Sequence, residues 1–284
     1  MKLEGCSALV TGASAGLGWE FARQLGARAH SLVLVARRRE RLEQFRNELT
    51  QQRSDIVAED AVLGPRSIPK AFGPATVHVR VIDLCDKSQI DELVQWLEQS
   101  KVDIDLLINN AGLGDVGPFA TSDPRRNDQM LLVNVIALTS LTRKLLPQMI
   151  ARKRGAILNV SSSAGFLPIP EFNVYAATKA YVTSFSEALR AELRGTGVTV
   201  TALCPGPVHT EFQDRAKRPG GKPEYGPEFV HVSVEKVVRD ALAAVEADRP
   251  LVIPGFIMKI GMFLVRITPM SILRLAWRLG ARRA

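Results

Sequence analysis

The sequence predicts an α/β fold built on a parallel sheet with helices on both faces. Three observations predict it. Short apolar runs alternate with helical stretches along nearly the whole chain,. Several of these runs are apolar throughout, as strands buried on both faces tend to be. A glycine-rich turn, Thr11-Gly12-Ala13-Ser14-Ala15-Gly16-Leu17-Gly18, joins the first run to the first helical stretch. The length of 284 residues suits one large domain with a sizeable core,.

Ser7-Ala8-Leu9-Val10 reads as the first strand, and the helix after the glycine turn runs to about Ala29. A strand, such a turn and a helix N-terminus make an anion site, because backbone N–H groups and the helix dipole both favour phosphate. Gly12 allows the tight turn, and Gly16 and Gly18 allow close approach of a pyrophosphate and close helix–sheet packing. These features specify the fold class further, as a three-layer, Rossmann-type doubly wound parallel sheet in a single domain. Ser31 to Ala36 is the second strand, and it ends Ala36-Arg37-Arg38-Arg39. An acid at this strand end would receive the 2′-hydroxyl of NAD. Arginine suits a 2′-phosphate instead, which points to NADP(H).

A helix is expected from Arg37 to Gln52. Residues 53–75 carry Gly64-Pro65, Pro69 and Gly73-Pro74 without sustained periodicity, and are expected to be a surface insertion,. Val77 to Ile82 is the third strand, ending at Asp83-Leu84. Asp86 then heads a helix, with Gln89 in a capping-box position,. Asp105 to Ile108 is the fourth strand, followed by Asn109-Asn110-Ala111-Gly112. Asp123-Pro124 caps a long helical stretch to about Arg152, in which Asn134 is a polar amide among apolar neighbours,. Ala156 to Val160 is the fifth strand and runs into Ser161-Ser162-Ser163-Ala164-Gly165.

Tyr175 and Lys179 follow, four residues apart at the head of a helix. Residues at i and i+4 share a helical face, so the ammonium can approach the phenol. A neighbouring positive charge is expected to lower the phenol pKa from its usual value of about 10. Val198 to Leu203 is the sixth strand, and Pro205 to Thr210 follows it. Residues 211–232, rich in Pro, Gly and charge, are expected to form a substrate lid without structure of their own,. A helix over Ser233 to Ala247 and a last strand, Leu251-Val252-Ile253, complete the catalytic domain, residues 1–255.

Together these residues resemble the short-chain dehydrogenase/reductase family. The motifs stand in family order: Thr11–Gly18 as TGxxxGxG, Asn109–Gly112 as NNAG, Asn134, the serine run, Tyr175–Lys179 as YxxxK, and Pro205–Thr210 as PGxxxT. The resemblance covers roughly Leu3 to Ile253. It implies a catalytic set of Asn134, Ser162, Tyr175 and Lys179. Tyr175 would be the general acid in reduction and the base in oxidation. Ser162, 13 residues before Tyr175, would bind the substrate oxygen, with Ser161 the alternative. Lys179 would lower the phenol pKa and hold the nicotinamide ribose. Asn134 would hold a water linking Lys179 to solvent.

The resemblance also implies the cofactor contacts. Gly12, Ser14, Ala15, Gly16, Leu17 and Gly18 would cradle the phosphates, and Arg37 and Arg38 would meet the 2′-phosphate. Asp83 and Leu84 would flank the adenine, with Asn110, Ala111 and Gly112 along the adenosine half. Pro205, Gly206, Val208 and Thr210 would meet the nicotinamide. Many NADP-using relatives carry Lys or Arg where Ala15 stands, which leaves the two arginines as the NADP evidence. The expected activity is NADP(H)-dependent interconversion of a ketone or aldehyde and an alcohol. Leu113, Phe166, Leu167, Phe172 and Phe212 suggest a lipophilic substrate. The competing class is a nucleotide-sensing or scaffold protein on the same fold.

Composition sets the remaining expectations. Cys6, Cys85 and Cys204 are far apart, which favours a reducing, cytoplasmic setting,. His30, His78, His209 and His231 show no metal-ligand spacing, and no metal is expected,. The chain enters its first strand at once, so no signal peptide is expected,. Six of the Lys and Arg residues behind the net charge of +8 lie between Phe256 and Ala284, where there is no acid. The basicity is thus a property of the tail, and no nucleic-acid partner is expected. Arg274, Arg278 and Arg282 fall on one face of a helix, with Leu273, Leu275, Trp277 and Leu279 interleaved. This basic amphipathic tail, residues 256–284, either lies on an anionic membrane surface or packs on protein. Its apolar runs are too short and too charged to span a bilayer. A homo-oligomer is expected.

Overall fold

The computed structural model describes residues 1–63, 76–218 and 228–281, with side chains except in 52–63 and 276–281. Seven strands form one parallel sheet: β1 Ser7–Thr11, β2 Ser31–Ala36, β3 Thr76–Val81, β4 Leu106–Asn109, β5 Gly155–Val160, β6 Val198–Leu203 and β7 Leu251–Val252. Their order is β3-β2-β1-β4-β5-β6-β7. Ala8 lies opposite both Leu32 and Leu106, so β1 is central. The chain reverses its winding between β1 and β4. In such sheets this switch point, at the carboxyl ends of the strands, is where a ligand sits. Asn110 pins that crevice, its Nδ2 donating to Thr11 O at 2.8 Å.

The helices are α1 Gly16–Gly26, α2 Arg39–Leu63, α3 Lys87–Gln99, α4 Pro124–Leu131, α5 Leu138–Ala151, α6 Asn173–Glu192, α7 Glu211–Ala216, α8 Val234–Glu246, α9 Phe256–Ile267 and α10 Met270–Ala281. β2 is fully buried, as its apolar run requires. One layer joins α1, α2 and α8 to the sheet through Phe21, Leu25, Leu42, Phe45, Val238 and Leu242. The other uses Ile90 and Leu93 of α3, Leu141 and Leu145 of α5, and Leu189 of α6. The run 124–151 is apolar and long enough to cross a membrane by length and composition. Its buried side, including Ala137, Leu141, Leu145 and Met149, packs within this second layer, as a core helix does.

Several local expectations need correction. The insertion expected over 53–75 begins as helix, because α2 continues to Leu63; residues 64–75 lie outside the described residues. The lid expected to lack structure contains α7 and a 3-10 turn, Glu228–Val230; residues 219–227 lie outside the described residues. Proline and charge counts miss α7 because its ends are held by distant partners, described below. Asp86 does cap α3, accepting from Ser88 N. Gln89, however, reaches back to the N–H of Asp83 instead of closing a capping box. The α4–α5 stretch contains a π-helical turn, Leu132–Ala137, and Asn134 sits in it.

Candidate active site

The switch point opens into a cleft of ≈ 640 Å³, within the range of small-molecule and cofactor sites,. Gly12, Ser14 to Leu17, Arg37 and Arg38 line one end, and Ser162, Tyr175 and Lys179 the other. Asp83, Leu84, Asn110 to Gly112, Pro205, Gly206, Val208 and Thr210 lie between, all in the wall. Gly18 does not line the cleft. It packs beneath it, where a Cβ would come within 2.2 Å of Gly12 O. Gly12, with φ of +68°, makes the turn that other residues resist,. α1 begins just beyond, and no side chain caps its N-terminus.

The end lined by Arg37 and Arg38 is built from charge. Arg38 donates through Nε and Nη2 to Ser14 Oγ, at 3.1 and 3.0 Å. Its Nη1 pairs with Glu211 Oε2 at 2.9 Å. Arg41 and Arg215 reach the same carboxylate. Burial raises the Glu211 pKa, but the hydrogen bond and charge of Arg38, with the charges of Arg41 and Arg215, hold it below the carboxylate norm. Arg37 is more open and stands 4.0 Å from Asp83 Oδ2. Glu211 was not foreseen as part of the site. Its local sequence shows only the i+4 pairing with Arg215; the partners that place it in the site, Arg38 and Arg41, lie about 170 residues away.

At the chemical end, α6 presents Tyr175 and Lys179 on its buried face. Tyr175 stacks on Phe172 at 4.2 Å between ring centroids and tilts against Phe212 at 5.4 Å. Burial pushes its phenol up to about 12, with the Ser162 hydrogen bond pulling the other way. This corrects the expectation of a lowered value. Lys179 does not point at the hydroxyl: its Nζ donates to Val160 O at 2.8 Å and stands 5.6 Å from the tyrosine ring centroid. Burial in turn lowers Lys179 to about 8. In both groups desolvation is the largest cause of the shift,.

The serines divide their work. Ser162 meets the phenol and accepts from Ala164 N. Ser161 is turned away, donating to Lys179 O at 2.7 Å and meeting Thr183. Asn134 is fully engaged: Oδ1 accepts from Leu113 N, and Nδ2 donates to Leu113 O and Thr178 Oγ1. Both donors are spent, so its visible action is to fasten the loop after β4 to α6. Its Oδ1 and Lys179 Nζ each lie 3.5 Å from where a side chain on Gly112 would begin, so glycine keeps that space open. Thr11 also escaped the sequence reading; its hydroxyl accepts from the N–H groups of Asn110 and Ala111.

Leu113, Leu167, Ile169, Phe172, Phe212 and Met262 form the apolar wall. Phe166 does not join them. It packs with Met258 and Ile253, beneath the guanidinium of Arg266. The α7 segment over the wall is strapped at both ends. Glu211 holds its start to Arg38, while Arg218 beyond its end pairs with the buried Asp115 at 2.5 Å. Arg126 adds bonds to Gly114 O and Arg215 O. Away from the cleft, His209, Glu228 and His231 bring three potential metal ligands within 4.8 Å of one another, which the spacing of the histidines did not suggest.

The profile of the family described as short chain dehydrogenase matches residues 7–72 and 64–219. A sulfoacetaldehyde reductase of Chromohalobacter salexigens is 38% identical over 206 residues, 72% of each chain. An NADP-dependent 3-hydroxy acid dehydrogenase of Escherichia coli is 34% identical over 219 residues, 76% of this chain and 79% of its own. Among solved structures, a short-chain dehydrogenase from Sphingobium yanoikuyae in complex with NADPH superposes with a TM-score of 0.74 at 27% identity, covering 98% of this chain and 94% of its own. The chain therefore belongs to the short-chain dehydrogenase/reductase family, as an NAD(P)-dependent oxidoreductase acting on an alcohol/carbonyl pair.

Proposed function

We propose that this enzyme uses NADP(H) and acts on a lipophilic ketone, aldehyde or the corresponding alcohol. The observation that carries the cofactor choice is the end of β2. Ala36 puts no acid on the strand end itself to receive a 2′-hydroxyl or to repel a 2′-phosphate, and Arg37 and Arg38 bring positive charge to the cleft wall. The residues fit a dinucleotide: an uncapped helix N-terminus for the diphosphate, arginines at one end, and the Tyr175–Lys179 pair at the other,. The NADP dependence of the Escherichia coli relative and the NADPH bound by the Sphingobium protein support the same choice.

When bound, the nicotinamide would supply or accept a hydride at the substrate carbon. In this reading the chain's own residues do the rest. Ser162 binds the substrate oxygen and shares it with the Tyr175 phenol. That phenol, with a pKa of about 12, is protonated at neutral pH and can donate to an oxygen gaining negative charge,. Lys179 places a cation behind the phenol and favours the tyrosinate when the reaction runs as an oxidation. Phe172 and Phe212 keep water from the tyrosine ring.

Steady-state kinetics with both cofactors tests the proposal. NADPH is expected to exceed NADH by about 10- to 100-fold in kcat/KM, the worth of one or two hydrogen bonds to a charged group. Ala36→Asp with Arg37→Ile should erase or invert that ratio. Equal use by the unaltered enzyme would sink the cofactor assignment. Along a series of unbranched methyl ketones, kcat/KM should rise about fourfold per methylene, at ~0.8 kcal/mol each. A flat series would sink the lipophilic pocket. No NADPH consumption with any member would favour the sensor reading.

A further inference from the structure

α9 turns the usual amphipathic arrangement inside out. Its inward stripe is short: Met258 is buried and Met262 half-buried, packed with Phe166, Cys204 and Ile253. Its outward face carries Phe256, Ile257, Ile260, Phe263, Leu264 and Ile267, with Phe256 77% and Phe263 62% exposed. Met270, Ile272 and Leu275 extend the exposed apolar surface along α10. A helix on the surface of a water-soluble domain turns polar residues outward. Scattered exposed apolar side chains need no explanation, but nine on two consecutive helices do. Lys259, Arg266 and Arg274 are exposed among them, and residues 256–284 contain no acid.

We propose that this face docks on an anionic lipid bilayer. Burial of the apolar side chains in the interface and attraction of the basic ones to anionic headgroups act together there. Packing on the enzyme's own domain accounts for Met258 and Met262 and leaves the outer face bare. A second copy fits poorly, because each face would bring the same positive charge with no acid to answer it. α9 and α10 have 12 residues each and are broken at Thr268-Pro269, so they lie on the bilayer and do not cross it,. Trp277, Arg278, Leu279 and Arg282 of the expected basic face lie outside the described side chains.

Docking also bears on the substrate. Met262 lines the cleft, on the same helix whose opposite face would enter the lipid. The cleft would then open beside the bilayer, and a ketone dissolved there could reach Tyr175 with little passage through water. This second step rests on the lipophilic-substrate reading, and the docking itself does not.

Co-sedimentation of the full chain with vesicles decides it. The enzyme should pellet with phosphatidylcholine vesicles containing about a third phosphatidylserine, and less with phosphatidylcholine alone. Binding should weaken as salt rises to about 0.5 M. Phe263→Glu with Ile267→Glu, both outward-facing, should lower partitioning at least about tenfold while kcat/KM for a short soluble ketone is unchanged. Protein that stays in the supernatant with both vesicles overturns the proposal. So does a dimer that the double substitution splits with no effect on vesicles. If the enzyme pellets as expected but consumes no NADPH with any ketone, docking stands and the substrate reading falls.

A second inference rests on a separate observation. His209 Nε2 lies 3.2 Å from Glu228 Oε1, and the rings of His209 and His231 stack at 4.2 Å. Both nitrogens of His231 are buried and lack a hydrogen-bond partner among the described residues. Two imidazoles and a carboxylate are a ligand set for zinc-class divalent cations. We infer a zinc-class site at His209, Glu228 and His231, tying the loop that holds Val208 and Thr210 to the turn before α8. Co²⁺ added to the full chain should give the absorption of a low-coordinate site, and Zn²⁺ should displace it and raise Tm. His209→Asn and Glu228→Gln should each weaken Zn²⁺ at least about tenfold by calorimetry. Absent saturable binding, or unchanged affinity in both variants, overturns the site.

Discussion

Tyr175 and Lys179 show how burial changes what a motif can say. The i, i+4 spacing correctly places both side chains on one face of α6, but it cannot report the dielectric they enter. Both are buried, and each is driven towards its neutral form. Tyr175→Phe is expected to lower turnover by at least about 100-fold, because only the proton donor is lost and the ring still packs on Phe172,. Cofactor affinity, measured by fluorescence titration, should change by less than about threefold. Loss of both together would mean that the hydroxyl positions the cofactor. Lys179 gives a stability prediction. Its pKa is about 8 in the fold and about 10.4 unfolded, so the unfolded chain binds more protons between these values,. Stability from this group therefore rises with pH across roughly 8 to 10.4 and is lowest below pH 8. Lys179→Met removes that buried charge. Its Tm relative to the unaltered enzyme should be most favourable near pH 7 and decline as pH approaches 10. A difference independent of pH would show that Lys179 is well solvated.

At the scale of elements, strands were the most legible because their signal is local. β2 falls where its continuous apolar run places it, β6 where a Val- and Thr-rich run does, and Asp123-Pro124 begins α4 as expected. α7 was invisible for the opposite reason. It has six residues, and it is held by Arg38 on one side and by the Asp115–Arg218 pair beyond its other end. The same long-range contacts hid Glu211 and Asp115 as members of the site. Glu211 occupies Arg38, one of the two arginines that would meet a 2′-phosphate, so it competes with that ligand for this side chain. Glu211→Gln is expected to tighten NADPH by about two- to fivefold, the worth of a partly exposed ion pair. NADH should be little affected. Weaker NADPH binding in this variant would instead mean that Glu211 holds Arg38 in its binding position.

At the scale of the whole molecule, the two sheet faces were foreseeable from alternation of strands and helices. What ties the layers together at the site was not. A buried polar chain crosses the sheet's centre from α5 to α6: Asn109 Nδ2 donates to Thr142 Oγ1 and to Asn159 Oδ1, and Asn159 Nδ2 donates to Ser186 Oγ. Asn109 stands in the recognisable NNAG run, but Asn159 is one polar residue within an apolar strand and carries no signal of its own. Its side chain supplies an acceptor to β4 and a donor to the helix that bears Tyr175 and Lys179. Asn159→Leu removes both, leaving one donor of Asn109 without a partner in a site closed to water, while the Ser186 hydroxyl keeps its bond to Val182 O. The orphaned donor costs about 1–3 kcal/mol. For a domain of this size that corresponds to a Tm lower by roughly 2–12 °C, at about 2–4 °C per kcal/mol. Adding Asn109→Leu should cost much less than the sum of the two single changes, because the second substitution removes a group that the first has already orphaned. Thermal unfolding of the two single variants and the double variant measures this coupling. Strict additivity would show that the two asparagines act independently, and that the layers are joined by apolar packing alone.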